Sequence, residues 1–551
     1  MHSSGGRFGR LLAGAAVIAA TGVFVPTAAT AAPAGTTGPS ETYLVLFKGS
    51  SSPANAAAIV TGAGGTVVAN YSQIGVLVAR STNSAFDETL RANNKVEGAS
   101  ATTDFGTRIG GAEVDAADAQ PGELPNAAAE DEDTFSPLQW DMRQMHTPEA
   151  HEITGGSPAV VAATIDTGVD YRHPDLRQNI SDADSADCLS GAAVPGAAAA
   201  NDGNGHGTHT AGTIAAAANG AGIVGVAPNV KVAGIKAGNS DGYFFPEAVV
   251  CAFMWAGDRH VDVVNNSYYV DPFLFNCRND ATQRAIWKAV QRAVRYAMNQ
   301  GVTVVASEGN ESEDLSHPTR DVSSPDFPPG SVEERDITNA CVVVPVELPG
   351  VIGVTATGSM LQDTSAGDRP DNLKSYYSSF GMSTADVAAP GGDFYFRGSD
   401  AGAQAVQGQI LSTWPADKPC TRSRQEVTGD ASYPIALYCA IQGTSMAGPH
   451  VAGLAALVIS QYGDLKNPQN GTMRPTQVEQ IISQTADPQA CPETLPLANA
   501  GSRIGQSYET DFRGSQSGAQ QECTGNGGHT SWYGQGQVDA LAAVTNDRSN
   551  G

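Results

Sequence analysis

The sequence predicts an α/β fold: a parallel sheet flanked by helices on both faces, preceded by a small α+β unit. Three observations predict it. Short apolar runs without polar alternation recur at residues 160–165, 230–235, 261–264, 302–306 and 351–354, the pattern of strands buried on both faces. Helical stretches at 209–218, 246–256 and 281–300 lie between them, and 446–462 and 476–485 follow; strands joined by such crossovers run parallel. Ahead of these, residues 41–108 read as strand (42–47), helix (from 53), two strands (64–68 and 74–78) and helix (86–92), an order that suits a two-layer domain.

The remaining segments frame these units. The chain has 551 residues, more than one core organises, so at least two domains are expected. Arg7 and Arg10, an apolar stretch at 11–25 and Ala29-Thr30-Ala31 read as an export signal over residues 1–31. The stretch is short for a membrane anchor, which needs roughly 20 residues, and Pro26 follows it. Residues 109–135 contain no Lys or Arg but include Glu130-Asp131-Glu132-Asp133, a solvated acidic linker. Residues 136–551 form the main domain. The net charge of −26 excludes a basic nucleic-acid footprint. Eight cysteines, none in a CxxC spacing, point to disulfides in an exported protein. Cys420 with Cys439 and Cys491 with Cys523 are local pairing candidates, and the full pairing stays open.

The residues able to do chemistry lie at strand ends and helix starts. Asp166 closes the run 160–165, where α/β sheets present side chains to a crevice; a carboxylate there can fix a histidine tautomer. His206, in Gly205-His206-Gly207 before a small-residue helix, is suited to proton transfer near neutral pH. His209 is the rival, expected inside the helix and structural. Ser445, in Gly443-Thr444-Ser445-Met446-Ala447, sits where a helix begins, so free N–H groups and the dipole favour an anion beside its hydroxyl. Asn310 ends Ser307-Glu308-Gly309-Asn310, and its amide can donate to an oxyanion.

Together these phrases resemble the subtilisin family of serine peptidases over about 138–544, in the chain order Asp, His, Ser. Val224-Gly225-Val226-Ala227-Pro228 and Gly534-Gln535-Gly536-Gln537-Val538-Asp539 also fit. The resemblance implies a secreted, monomeric endopeptidase with protein or peptide substrates, no catalytic cofactor, and residues 41–108 as its own inhibitory propeptide. It implies an Asp166–His206–Ser445 triad, Asn310 in the oxyanion hole, and substrate contacts at Ser267, Tyr268, Tyr269 and Gly309. Tyr269 replaces a small residue at the pocket for the residue before the scissile bond. The resemblance further implies structural calcium at Asp175, Asn219 and Gln139, ligands whose oxygens suit that ion.

Long insertions at 314–340 and 393–440 depart from the family pattern; they either shape subsites or decorate the surface, with decoration the default. Glu311, beside Asn310, could attract a basic side chain of a substrate, but an exposed loop residue is the commoner reading of such a Glu. The alternatives are weaker. An α/β-hydrolase esterase expects Gly-x-Ser-x-Gly, but Ala447 takes the last position. A zinc peptidase would show His-Glu-x-x-His, and an aspartic peptidase a second Asp-Thr/Ser-Gly. The non-enzymatic alternative is an inactive binding protein on the same fold.

Overall fold

The structure, a computed structural model, describes residues 37–102, 133–270, 272–326, 330–362, 371–394, 408–466, 472–492, 515, 517–526 and 528–548. The expected export signal and most of the acidic linker lie outside these residues.

The first unit runs β1 (Thr37–Phe47), α1 (Ala56–Gly62), β2 (Gly65–Tyr71), β3 (Val76–Asn83), α2 (Phe86–Arg91) and β4 (Val96–Ala101). Its strands form an antiparallel sheet in the order β2-β3-β1-β4. Tyr43, Val45, Phe47, Leu77 and Ala79 project from one face onto Val60, Phe86 and Leu90, the period-two pattern of a strand. Leu44, Leu46, Val76 and Val78 project from the other face into the core of the main unit. The sequence pattern misses β4, whose six residues include a glycine, two alanines and a serine; pairing with β1 creates it.

In the main unit, β5 (Val161–Asp166), β6 (Lys231–Lys236), β7 (Val263–Asn266), β8 (Thr303–Ser307), β9 (Ile352–Gln362), β10 (Asp371–Lys374) and β11 (Val387–Pro390) join one nine-stranded sheet with two-residue strands at Ala186–Asp187 and Val194–Pro195. Its centre, in the order β9-β8-β7-β5-β6, is parallel throughout. Side chains alternate between two cores, as a sheet buried on both faces requires. Ala163, Ile165, Ala233 and Val304 meet α4 (Pro246–Arg259) and α5 (Ala281–Asn299). Ala162, Val232, Val263 and Val305 meet α3 (His206–Ala215) and α6 (Thr444–Tyr462). The helix α7 (Pro475–Thr485) adds Val478 and Ile482 to that second core.

The small unit docks on α4 and α5. Lys288 and Arg292 on α5 pair with Glu97, and Arg292 also donates to the carbonyls of Phe47 at 3.1 Å and Ile74 at 3.0 Å. A Cβ on Gly98 would lie 2.9 Å from that of Ala285, so glycine there lets β4 lie against α5. Glu247, in the first turn of α4, is buried beside Thr102, and burial pushes its carboxyl up to about 7.

All eight cysteines pair: Cys188–Cys251, Cys277–Cys341, Cys420–Cys439 and Cys491–Cys523. The two local candidates are among them. The insertion after residue 393 is more than decoration. Its strands β12 (Ile410–Trp414), β13 (Ser423–Val427) and β14 (Ile435–Ile441) form an antiparallel sheet in the order β12-β14-β13, and β12 packs along α3. Ser412 and Thr413 donate to the carbonyls of His209 and Thr208, each at 2.7 Å. A Cβ on Gly212 would fall 2.3 Å from Thr413 Oγ1, so that close approach requires glycine.

Candidate active site

The adjacent strands β5, β7 and β8 end at one crevice, and each delivers a polar group there. Asp166 is the last residue of β5 and is fully buried. Its Oδ1 and Oδ2 lie 2.8 and 3.0 Å from His206 Nδ1. Its Oδ1 also accepts the Thr167 N–H at 2.7 Å. A carboxylate only accepts, so the pairing assigns the imidazole proton to Nδ1 and leaves Nε2 as the basic nitrogen.

His206 is the first residue of α3, which therefore begins a turn earlier than the sequence pattern indicates. The cause is Asp202, which sequence reasoning missed. Its carboxylate accepts from Asn204 N at 2.8 Å, Gly205 N at 3.0 Å, Thr208 N at 3.0 Å, Thr208 Oγ1 at 2.6 Å and Thr167 Oγ1 at 2.9 Å. It takes the open N–H group of Thr208 in the first turn, while those of His206 and Gly207 go to Asn204 Oδ1 at 3.2 Å and Thr167 Oγ1 at 3.0 Å, and its bond to Thr167 ties that turn to the loop after Asp166. The signal was an acidic residue in Asn201-Asp202-Gly203-Asn204-Gly205, composed of turn and cap formers just ahead of the helix.

His209 is structural, as expected. Its Nε2 meets the carbonyls of Cys439 at 3.0 Å and Ile410 at 3.2 Å, and burial lowers it to about 3.

Ser445 is the second residue of α6 and is 4% exposed. Its hydroxyl donates to the Ser267 carbonyl at 3.2 Å, and the Ser267 hydroxyl donates to the Ser445 carbonyl at 2.8 Å. Thr444, also missed from sequence, fixes Asn310. Its N–H and its hydroxyl both donate to Asn310 Oδ1 at 2.9 Å, and the hydroxyl accepts Gly309 N–H at 3.1 Å. A backbone N–H can only donate, so the oxygen of the amide faces Thr444 and its NH2 faces away, as a donor beside the start of α6.

The other expected site residues divide. Gly309, with φ +106, lies in this cluster. Ser267 is buried and bonded to Ser445. Tyr268 is core: its ring stacks on Phe244 at 4.2 Å, and its hydroxyl donates to Asn266 Oδ1 at 2.9 Å. Its side chain is thereby withdrawn from any substrate contact. Tyr269 is half-buried and hydrogen-bonds Asp326.

The calcium trio lies around one loop but is committed to protein donors. Asp175 Oδ2 accepts from Tyr438 OH at 2.9 Å and Ile223 N at 3.1 Å, and its Oδ1 accepts from Asn219 Nδ2 at 3.2 Å. Both atoms of the Gln139 amide bond the Val224 backbone, at 2.8 and 3.0 Å. Burial raises Asp175 to about 7. Asp175 and both atoms of the Gln139 amide are thus engaged by protein partners, and the carboxylates of Asp133 and Glu426 accept N–H groups of the same loop. Among the described residues no cluster of three or more His, Cys, Asp or Glu could hold a metal.

An open sheet whose strand ends gather a buried carboxylate–imidazole pair and a helix-borne serine defines the class of serine hydrolases. Comparison with known proteins narrows it. The model for the subtilase family matches residues 157–532, and the chain belongs to that family: it is a serine endopeptidase of the subtilisin type. It is 31% identical over 379 residues to the thermophilic serine proteinase of Bacillus sp. (strain AK1), covering 67% of each chain. It is 30% identical over 328 residues to subtilisin DY of Bacillus licheniformis, covering 59% of this chain and 83% of that protein. Two solved structures share the fold. The epidermin leader peptide processing serine protease of Staphylococcus aureus matches with a TM-score of 0.59 at 21% identity, over 92% of this chain and 98% of that one. Fervidolysin from Fervidobacterium pennivorans matches with a TM-score of 0.58 at 21% identity, over 92% and 61%.

Proposed function

We propose that the protein is a secreted endopeptidase that cleaves through an acyl-enzyme formed on Ser445. The observation that carries this reading is the buried His206–Asp166 pair, at 2.8 Å, on the strand beside the one leading to Ser267, which exchanges hydrogen bonds with Ser445. The Ser445 hydroxyl turns from the Ser267 carbonyl and attacks the substrate carbonyl carbon while its proton passes to His206 Nε2. Asp166 holds the imidazole and stabilises the imidazolium. The oxyanion is met by Asn310 Nδ2 and the Ser445 N–H, a free donor at the start of α6. His206 then gives its proton to the leaving amine, and water, deprotonated by the same imidazole, releases the acid. The crevice needs no metal for these steps.

Residues 41–108 act as the intramolecular inhibitor, removed by a cut between about 105 and 137, and the export signal at 1–31 directs secretion. No helix among the described residues is long and apolar enough to cross a membrane, and the mature enzyme works as a monomer. The test is labelling by a fluorophosphonate probe, with Ser445→Ala as control. Labelling of the enzyme and none of the variant is expected; equal labelling of both, or none of either, overturns the assignment and favours an inactive binding protein.

A further inference from the structure

Asn310 is held from two sides. Thr444 fixes its amide. Its backbone lies against residues 375–380, which follow β10. Ser379 N–H donates to the Gly309 carbonyl, Phe380 N–H to the Glu313 carbonyl, and Ser312 N–H to the Tyr377 carbonyl, each at 2.9 Å. The Ser312 hydroxyl adds a bond to the Tyr376 carbonyl at 3.0 Å. Asn310 lies inside this bonded stretch, so its place follows that of residues 375–380.

Those residues are in turn gripped by one buried cation. Lys374, the last residue of β10, is fully buried. Its Nζ donates to the carbonyls of Ser375 at 3.0 Å and Ser378 at 2.6 Å, and to Gln521 Oε1 at 2.7 Å, which accounts for all three hydrogens of an ammonium. The rings of Phe380 and Trp532 stand over it, their centroids 5.3 and 5.4 Å away, within reach of cation–π attraction. Burial pushes the amine well below its usual value, and the charge of Asp393 acts the other way. A buried charge is costly unless it is matched; here three oxygens and two ring faces match it. Gln521 carries the grip further, since its Nε2 donates to the Tyr376 carbonyl at 2.9 Å. The hydrolytic steps themselves do not use this ammonium.

We infer that Lys374 is a positioning residue for the oxyanion donor: its ammonium, seated in a cage of three oxygens and two aromatic rings, fixes residues 375–380 and through them Asn310. The inference rests on the peptidase reading above. In chemical terms the cage is a receptor for a primary alkylammonium, which the chain fills with its own side chain. Charge-assisted hydrogen bonds of this kind are the strong ones, and the short turn they close leaves Gly309 and Ser312 facing fixed partners.

The test is chemical rescue. Lys374→Ala removes the equivalent of one propylammonium ion from the cage. The kcat and KM for one peptide are measured on enzyme produced from the full chain and on the variant, with propylammonium added and, as the neutral control, 1-propanol. In the variant kcat should fall about tenfold or more with KM within about threefold, because a misplaced Asn310 fails only the oxyanion. Propylammonium should restore most of the lost kcat, and 1-propanol should not. An unchanged kcat, a loss carried by KM, or rescue by propylammonium no better than by 1-propanol overturns the positioning role and leaves the peptidase reading intact. Gln521→Leu keeps the lysine and removes one acceptor, and it decides the matter should Lys374→Ala fail to fold: a fall in kcat at constant KM is expected, and unchanged kinetics overturn the role. Failure of the unmodified enzyme to cleave any peptide would instead sink the peptidase reading.

Discussion

Replacing Asp202 by alanine removes an acceptor that serves five donors at 2.6–3.0 Å. Loss of the helix cap alone costs about 1–2 kcal/mol. Each buried donor left without a partner costs about 1–3 kcal/mol more. Water can reach some of them, so with two of the five stranded the loss comes to about 3–8 kcal/mol, a large share of the roughly 5–15 kcal/mol that keeps a domain folded. Urea unfolding should be measured on a Ser445→Ala background, so that self-digestion does not distort the curve. In the active background the first turn of α3 loosens and His206 loses its register against Asp166. A displacement of about 1 Å costs on the order of a hundredfold in rate, read as kcat/KM. A loss below about 1 kcal/mol with activity within twofold of the wild type would refute the reasoning.

Asn310→Ala should lower kcat by about 10²–10³ with little change in KM, checked by steady-state kinetics, because only the oxyanion needs that donor. For His209, held at about 3, and His173, held at about 4, against an ordinary value of 6.5, the unfolded chain binds more protons below pH 6.5. Their contribution is therefore complete above 6.5 and is lost as pH falls toward 4; His209→Asn should flatten that part of a denaturation-versus-pH series. Glu247 has the opposite sign: its carboxyl is raised to about 7 from 4.5, so the docked small unit should bind less tightly as pH rises from 4.5 to 7, by at most tenfold per pH unit. Binding of residues 37–102 to the main unit should lose that dependence in Glu247→Gln. Calcium added to chelator-treated enzyme should leave its melting temperature unchanged, whereas Tyr438→Phe, which frees an oxygen of Asp175, should make it calcium-responsive.

The parallel sheet was legible because its strands are unbroken apolar runs, and the Asp166–His206 pairing because each of the two sits in a short local phrase with a mechanical reason. What escaped the sequence depends on distant partners. The start of α3 moved because a carboxylate four residues before His206 folds over the first turn. The side chain of Tyr268 left the crevice because Phe244, 24 positions earlier, offers a parallel ring. β4 carries little strand preference of its own. Cys188–Cys251 and Cys277–Cys341 span 63 and 64 residues, beyond any local pairing signal. Glu311, expected in solvent, is buried, with the charges of Glu313 and Asp321 acting on it.

The brace along α3 has a consequence for biosynthesis. The helix that starts with His206 is gripped by Ser412 and Thr413, which leave the ribosome about two hundred residues after it, and Ser445 follows later still. A nascent chain therefore holds His206 without the brace on its helix, and without Ser445, until more than two hundred further residues are made. On the proposed mechanism, hydrolytic power arrives only after the sheet and the brace have been made.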